Sequence, residues 1–434
     1  MVPDPSTIPP AVTEVLTRLK GAGHAAFLVG GCVRDMFRKV APKDFDVATA
    51  ATPPQVQALF KRVIPTGIDH GTVTVVTRGL HVEVTTFRSE GGYHDGRRPS
   101  KVEFHTDIEA DLSRRDFTIN AMAYDPLAPP PADPVVDPFG GRADLKAKVV
   151  RCVRDAHERF SEDGLRALRA VRFATVLDFT LDPDTEKAIP PTMPVFRKVA
   201  LERVNQELTR LLLAPHAPTG LGLLERTTLL DEIAPEAKGA DFAAVGRAPP
   251  ELPLRLAVLF VRCDRVRDVL LRLKFPNKVA DDAAQLVRLR ELPPADASDA
   301  QLRRWLSKVG AARAEPILEL NRALGEFTDS REVDGSLAEF EHPPDLREER
   351  VDVNEAVPTT LEARLHLVLA QKPPLTTREL ALDGSGIMAA LNVGPSAIVG
   401  QATRHLLELV LDDPGRNTPQ ALTDALRTWQ AGAR

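Results

Sequence analysis

Residues 27–49 read FLVGGCVRDMFRKVAPKDFDVAT, and the rest of the chain is organised around them. An apolar run, Phe27-Leu28-Val29, ends in Gly30-Gly31, and the segment after it carries Arg34 and Asp35. The pattern predicts a strand, a tight glycine turn and a helix start. Such a turn lets backbone N–H groups approach an anion closely, and the helix start adds partial positive charge. Past a short basic connector comes Asp44-Phe45-Asp46, followed by Val47. On a strand, residues i and i+2 share a face, so both carboxylates are expected to project together while Phe45 turns into the core. Paired carboxylates suit two Mg²⁺ ions roughly 3.5–4 Å apart, which activate an attacking hydroxyl and hold a triphosphate. A double glycine or a DxD alone describes many ordinary turns. In this order and spacing they point to nucleotidyl transfer.

With 434 residues the chain is too long for one core, so two to four domains are expected. Its 43% hydrophobic and 27% charged content is that of an ordinary soluble protein. No apolar run reaches membrane-spanning length, and the proline-bearing start does not read as a signal peptide. Cys32, Cys152 and Cys263 are too scattered for a metal knuckle or a disulfide framework, so a reducing cytoplasm is the expected compartment. A net charge of −5 argues against wrapping nucleic acid over the whole surface, but leaves room for a local basic channel. Aromatics make up only 5%, so a polynucleotide would be held mainly through phosphates and shape.

Along the chain, AVTEVLTRLK (11–20) has helical spacing and stops at Gly21 and Gly23. Pro53-Pro54 open another amphipathic helix. In GTVTVVTRGLHVEVTTFR, alternation at Val73 and Val75, then at Val82 and Val84, marks two strands joined at Arg78-Gly79. Glu83 faces away from Val82 and Val84. It reads equally well as a third carboxylate beside Asp44 and Asp46 or as a solvated strand glutamate. Residues 89–100, SEGGYHDGRRPS, carry no pattern and are expected to form a mobile loop. Order returns in DLSRRDFTINAMAYD (111–125). The proline-rich PLAPPPADP that follows cannot be a central strand, and DPFGGRADL brings a second double glycine, Gly140-Gly141. After Val150 strand signals vanish, and helical patterns separated by proline clusters fill the rest. The expected architecture is an α/β head on an all-α body.

Arg114, Arg115 and Asp116 precede the apolar Phe117, Ile119 and Met122. Arginine forks grip phosphate oxygens, and an aspartate beside them can accept from a ribose hydroxyl. The same trio would also suit a charged helix start. Residues 161–174, SEDGLRALRAVRFA, are more pointed. Ser161 reads as an N-cap with Glu162 and Asp163 in the first turn, and Arg166, Arg169 and Arg172 then repeat every third residue. A stripe of this kind can be a salt-bridged, solvated face. Its functional reading has a specific consequence. Asp163 and Arg166, one turn apart, offer an acceptor and a donor to one planar base. Cytosine and adenine pair an exocyclic amine with an unprotonated ring nitrogen, whereas uracil and guanine reverse both polarities. Selection of C and A without a template would follow.

Taken in order, GGCVRD with DFD, RRDFTINA, DPFGGRADL, EDGLRALRAVRFA and LERVNQEL (201–208) resemble the class II tRNA nucleotidyltransferases, the CCA-adding enzymes, and the related bacterial poly(A) polymerases. The stretch TTRELALDGSGIMAALNVGPSAIVGQATRHLLELVLDDP (376–414) is similar to that family's C-terminal region. The resemblance implies an α+β chain: a polymerase-β-like nucleotidyltransferase head over 1–150, a helical neck with the nucleotide-selecting helix over 151–213, a helical body over 214–372 and a tRNA-binding helical tail over 373–434, in a seahorse-like arrangement. It implies Mg²⁺ on Asp44 and Asp46, with Glu83 a candidate third ligand. Gly30, Gly31, Arg34 and Arg115 would hold the triphosphate, Asp116 the sugar, and Asp163 with Arg166 the base, while Arg169 and Arg172 complete the pocket. The implied partners are CTP, ATP and the 3′ end and acceptor arm of tRNA. The implied reaction is template-independent addition or repair of the terminal CCA.

PTGIDHGTVTVV at 65–76 looks like the CCA-adding form, not the basic stretch found there in the poly(A) polymerases. The 89–100 loop, shortened in CC-only relatives, implies that A can be added as well. Cys263-Asp264 stands where an appended metal phosphohydrolase would need His-Asp, so no phosphatase activity is expected. An A-adding enzyme, a poly(A) polymerase and a silent RNA-binding protein on this fold are the other readings. Paired Asp44 and Asp46 speak against the last.

Overall fold

The computed structural model describes residues 3–93, 99–326 and 360–432. Helix α1 (Pro10–Gly21) forms as its spacing dictates: Val12, Val15, Leu16 and Leu19 are buried on one stripe, and Pro10 sits in the first turn where its missing N–H costs nothing. Then come β1 (Ala26–Val29), α2 (Gly31–Phe37), β2 (Asp46–Thr49), α3 (Pro53–Leu59), β3 (Val63–Gly67), β4 (Thr72–Thr77) and β5 (Leu80–Thr86). Arg78 and Gly79 link β4 to β5 with φ of 47° and 79°, the left-handed pair whose twist matches that of the flanking strands.

The chain continues through β6 (Arg88–Tyr93), β7 (Pro99–Phe104), α4 (Ile108–Ser113), β8 (Ala123–Tyr124), β9 (Val135–Val136), α5 (Gly141–Ala147), β10 (Val149–Val150), α6 (Ala156–Glu162), α7 (Leu165–Leu177) and β11 (Thr180–Leu181). Seven strands form one mixed sheet in the order β3-β4-β5-β2-β1-β8-β9. Strand β2 is antiparallel to β1 and parallel to β5, which sets Val29 opposite Asp46 and Asp46 opposite Glu83. On one side of the sheet Leu28, Val47, Val73 and Val84 pack with Val15, Leu16 and Val56. A second cluster gathers Val29 and Ala48 with Phe87, Leu112 and Val153.

Three expectations change here. The 89–100 stretch, read as a loop, contributes to a paired ribbon, β6 against β7, with its residues 94–98 outside the described set. A two-stranded ribbon needs only main-chain pairing, so apolar alternation is not required of it. Strand signals also do not end at Val150: β10 and β11 pair in parallel, and two residues each are too few to show a period. Ser161 is not an N-cap. It lies in the last turn of α6, and the chain breaks at Asp163 and Gly164 before α7 starts.

By its contacts the chain divides into two compact units, Met1–Gly246 with Arg262–Ala280, and Arg247–Val261 with Asp281–Arg434. In the second unit Ser298 and Gln301 form a capping box on the Asp299–Val309 helix. Arg303 of that helix donates through Nε and Nη2 to the carbonyls of Leu411 and Asp412, both at 2.7 Å. A cation is thereby placed on the open carbonyl end of the Ala397–Asp412 helix, where the helix dipole favours it. Leu380, Ile387, Leu391, Leu406, Val410 and Leu422 close a separate apolar cluster near the chain's end. Among the described residues no helix is long and apolar enough to cross a membrane.

Candidate active site

Asp46 opens β2, but Asp44 stands on the bend before it, so the two carboxylates do not share a strand face as the DxD spacing suggested. Strand pairing supplies the neighbour: Glu83 is in register with Asp46 across the parallel β2–β5 seam. Burial pushes the Asp46 carboxyl above the usual range, Arg115 pulls it back, and Asp44 pushes it up again. Glu83 is raised by burial first and then by Asp46. Carboxylates whose charges raise one another in this way would be relieved by a divalent cation.

The glycine turn shows why no other residue suits its first position. Gly30 has φ 75° and ψ −133°, outside the range of L side chains, and a Cβ there would lie 2.8 Å from Arg115 Nη1. Arg34 follows in α2, with Nε and Nη2 on Asp35 at 2.9 Å and Nη1 on Asn120 Oδ1 at 2.8 Å. Arg115 reaches Asp111 at 3.2 Å and the Asn120 carbonyl at 3.5 Å. A cleft of about 680 Å³ is lined by Gly31, Arg34, Asp44, Asp46, Arg172 and Arg210, among others.

Asp116 is joined to that cleft through Asn120, which donates to Asp116 Oδ1 at 3.1 Å while accepting from Arg34. Phe117 N–H is the second donor to Oδ1, and Arg169 binds Oδ2 through Nε and Nη2 at 2.9 and 2.6 Å. Burial alone would raise this carboxyl. Arg169's charge and the hydrogen bonds outweigh burial and bring it down to about 2. All four lone-pair sites of Asp116 are thus engaged.

Asp163 ends α6 in extended conformation, with Gly164 next. Its Oδ1 accepts from Leu165 N–H at 3.0 Å and from Arg203 Nη1 at 3.1 Å, and its Oδ2 from Arg203 Nη2 at 2.7 Å. One acceptor site on Oδ2 is left. Arg166 is held by Glu162 at 2.5 Å and by the carbonyls of Arg159 and Arg114 at 3.2 and 3.0 Å. Gly164 is pressed against the backbone of Phe196, where an added Cβ would lie 2.7 Å from N and Cα.

Residues 26–151 match the family model described as the poly A polymerase head domain, and 178–240 that described as a probable RNA and SrmB-binding site of polymerase A. The CCA-adding enzyme of Geobacillus stearothermophilus is 40% identical over 291 residues, 65% of this chain and 71% of its own. The chain belongs to the CCA-adding enzyme family. A second CCA-adding enzyme, from Lactiplantibacillus plantarum, is 45% identical over 215 residues, 49% of this chain and 52% of its own. The solved structure of the Bacillus stearothermophilus CCA-adding enzyme in complex with CTP superposes with a TM-score of 0.75 at 28% identity, covering 98% of this chain and 100% of that one. The fold is therefore the polymerase-β-like head followed by helices.

Sequence reasoning named the carboxylates and the arginine row as candidates but missed what holds them. Helix Leu201–Leu212 carries Arg203, which grips Asp163, and Glu207, which takes Arg172 at 2.6 Å and lies 3.5 Å from Arg169. A signal was present. Glu207 falls on the same stripe as Val204, Leu208 and Leu211, and a glutamate on a buried apolar stripe requires a cation. Asn120 and Glu162, each bonded to a candidate site arginine, had no such signal.

Proposed function

We infer that this protein is a template-independent tRNA nucleotidyltransferase that builds or repairs the 3′-terminal CCA from CTP and ATP. One observation carries the reading. Within a family member, Asp44 and Asp46 share a cleft with Gly31, Arg34 and Arg172, and Glu83 is in register with Asp46, so acid and basic groups converge where a triphosphate and its cation must meet. Asp44 and Asp46, which share the cleft, are the carboxylates that would hold Mg²⁺, with Glu83 next to Asp46 across the seam as a candidate third; the ion when bound would lower the pKa of an attacking hydroxyl and neutralise phosphate charge. The glycine turn with Arg34 and Arg115 orients the triphosphate, so that the tRNA 3′-hydroxyl faces the α-phosphate and pyrophosphate departs opposite to it.

Asp163 offers its remaining lone pair to the exocyclic amine of C or A, and Arg166 would donate to the ring nitrogen by exchanging one of the bonds it now makes to Glu162 or to the Arg159 and Arg114 carbonyls. Asp116 could take a ribose hydroxyl only by giving up a present hydrogen bond, so its larger part is to anchor Arg169. The helical segment 151–213 would serve as the selecting neck, with the body over 214–372 and a tail over 373–434 engaging the acceptor arm. The three cysteines are free, Cys32 and Cys152 buried, which suits a reducing compartment such as the cytoplasm. The test is incorporation of each labelled nucleotide into tRNA ending before CCA, after C, or after CC. Growth of all three to CCA is expected. Extension of the CC-ended tRNA alone would mean an A-adding enzyme, and unlimited A addition a poly(A) polymerase.

A further inference from the structure

Phe173 is buried on α7 among cations. The guanidinium carbon of Arg172 lies 3.6 Å from its ring centroid, and those of Arg34 and Arg169 each lie 5.3 Å away. Phe117 meets it edge-on, with centroids 5.6 Å apart and planes at 76°. Each arginine also has an anionic partner: Asp35 for Arg34, Asp116 for Arg169 and Glu207 for Arg172. Those partners fix each guanidinium separately. They do not explain why three like charges from two helices gather around one aromatic ring. A leucine would fill comparable space but offer no negative face, whereas the π-cloud attracts all three guanidinium groups.

We propose that Phe173 is a positioning residue for the nucleotide, holding Arg34 and Arg172 at the cleft they line before a triphosphate arrives. The inference rests on the nucleotidyltransferase reading and deepens it. Because the ring meets guanidinium groups and not the base, its influence falls equally on CTP and ATP. The base choice assigned to Asp163 and Arg166 is left intact.

The test replaces Phe173 in the full chain with mono-, di- and trifluorophenylalanine, which keep the shape of the ring while draining its π-face. Dissociation constants for CTP and for ATP are measured by equilibrium dialysis without tRNA, alongside melting temperature and tRNA extension. Affinity for both nucleotides should weaken stepwise with each fluorine, by about fivefold in total, the size of one cation–π contact. The CTP:ATP ratio, the KM for tRNA and the melting temperature should hold steady. Phe173→Leu should bind both nucleotides at least as weakly as the trifluoro form. Flat dissociation constants across the series would overturn the inference, and so would weakening that tracks a falling melting temperature. If the unmodified protein itself bound no CTP, the fault would lie with the nucleotidyltransferase reading instead.

Discussion

Asp46 is held at a cost that its chemistry explains. Its carboxyl is raised by burial and by Asp44, so the charged form works against the fold at neutral pH. For an acid whose folded pKa lies above its unfolded one, the favourable contribution belongs to low pH and is lost as pH rises through the folded value. Asp46→Asn removes the penalty. In metal-free protein it should raise the melting temperature, by roughly 2–4 °C for each kcal/mol relieved, while abolishing nucleotide incorporation. A lower melting point would show that attraction to Arg115 outweighs the repulsion. Asp116 has the opposite sign. Its depressed pKa contributes stability above the ordinary carboxylate range, and that contribution is lost as pH falls through about 2. In Asp116→Asn the urea-unfolding midpoint should therefore fall less steeply as pH is lowered below about 4 than in the wild type. Base choice is also decided at this scale. Asp163→Ala removes one attractive and one repulsive contact, so discrimination between CTP and UTP should fall roughly tenfold to a hundredfold, the range of a charged hydrogen bond of about 1.5–3 kcal/mol. Competition between the two nucleotides on one tRNA measures it. An unchanged ratio in an active variant would return α7 to the status of a salt-bridged helix face.

Helices α6 and α7 carry the clearest contrast between what sequence shows and what only packing decides. The arginine row at 166, 169 and 172 was legible because its period is local. The break at Asp163 and Gly164 was not, since SEDGLR also satisfies the rules for a single helix start, and the competing interruption comes from Phe196, thirty-two residues later. Long-range partners explain the other gaps. Asp163 looked free to serve a base, yet Arg203 takes two of its acceptor sites from a helix forty residues on. Asp44 and Asp46 looked like one strand face, yet the strand starts only at Asp46 and the third carboxylate arrives by register with β5. Periods and turns were readable, whereas partners across the fold were not. Gly164→Ala tests the junction. Its new methyl would meet Phe196 backbone, and backbone yields less readily than a side-chain tip. Overpacking of this kind costs about 1–3 kcal/mol, and α7 should shift as it is relieved. The urea midpoint should fall and the KM for CTP rise together. A variant with both unchanged would mean that the junction has slack.

For the whole molecule, all the candidate nucleotide-binding residues belong to the first compact unit. Hydrogen exchange with and without CTP and a divalent cation should show protection across α2, β2, β5 and α7, and little change in the helices Asp299–Val309 and Ala397–Asp412. Equal protection in both units would mean that nucleotide binding is coupled to the whole chain. The same division governs how the protein can be made. The first unit is not continuous: Asn205 donates to the Leu273 carbonyl at 3.1 Å and Arg272 to that of Ile233 at 3.2 Å, so it stays incomplete until residues 262–280 exist. By then the ribosome has already made 247–261, whose Leu252–Leu259 helix, with Leu254, Leu256, Val258 and Leu259 buried, packs on the helix Ala311–Leu324. At about 5–20 residues per second, that apolar helix waits several seconds for its partner to be synthesised. A nascent chain with residue 280 outside the ribosome and 311–324 still inside it therefore presents a finished first unit together with an orphaned greasy helix, the kind of segment a chaperone grips.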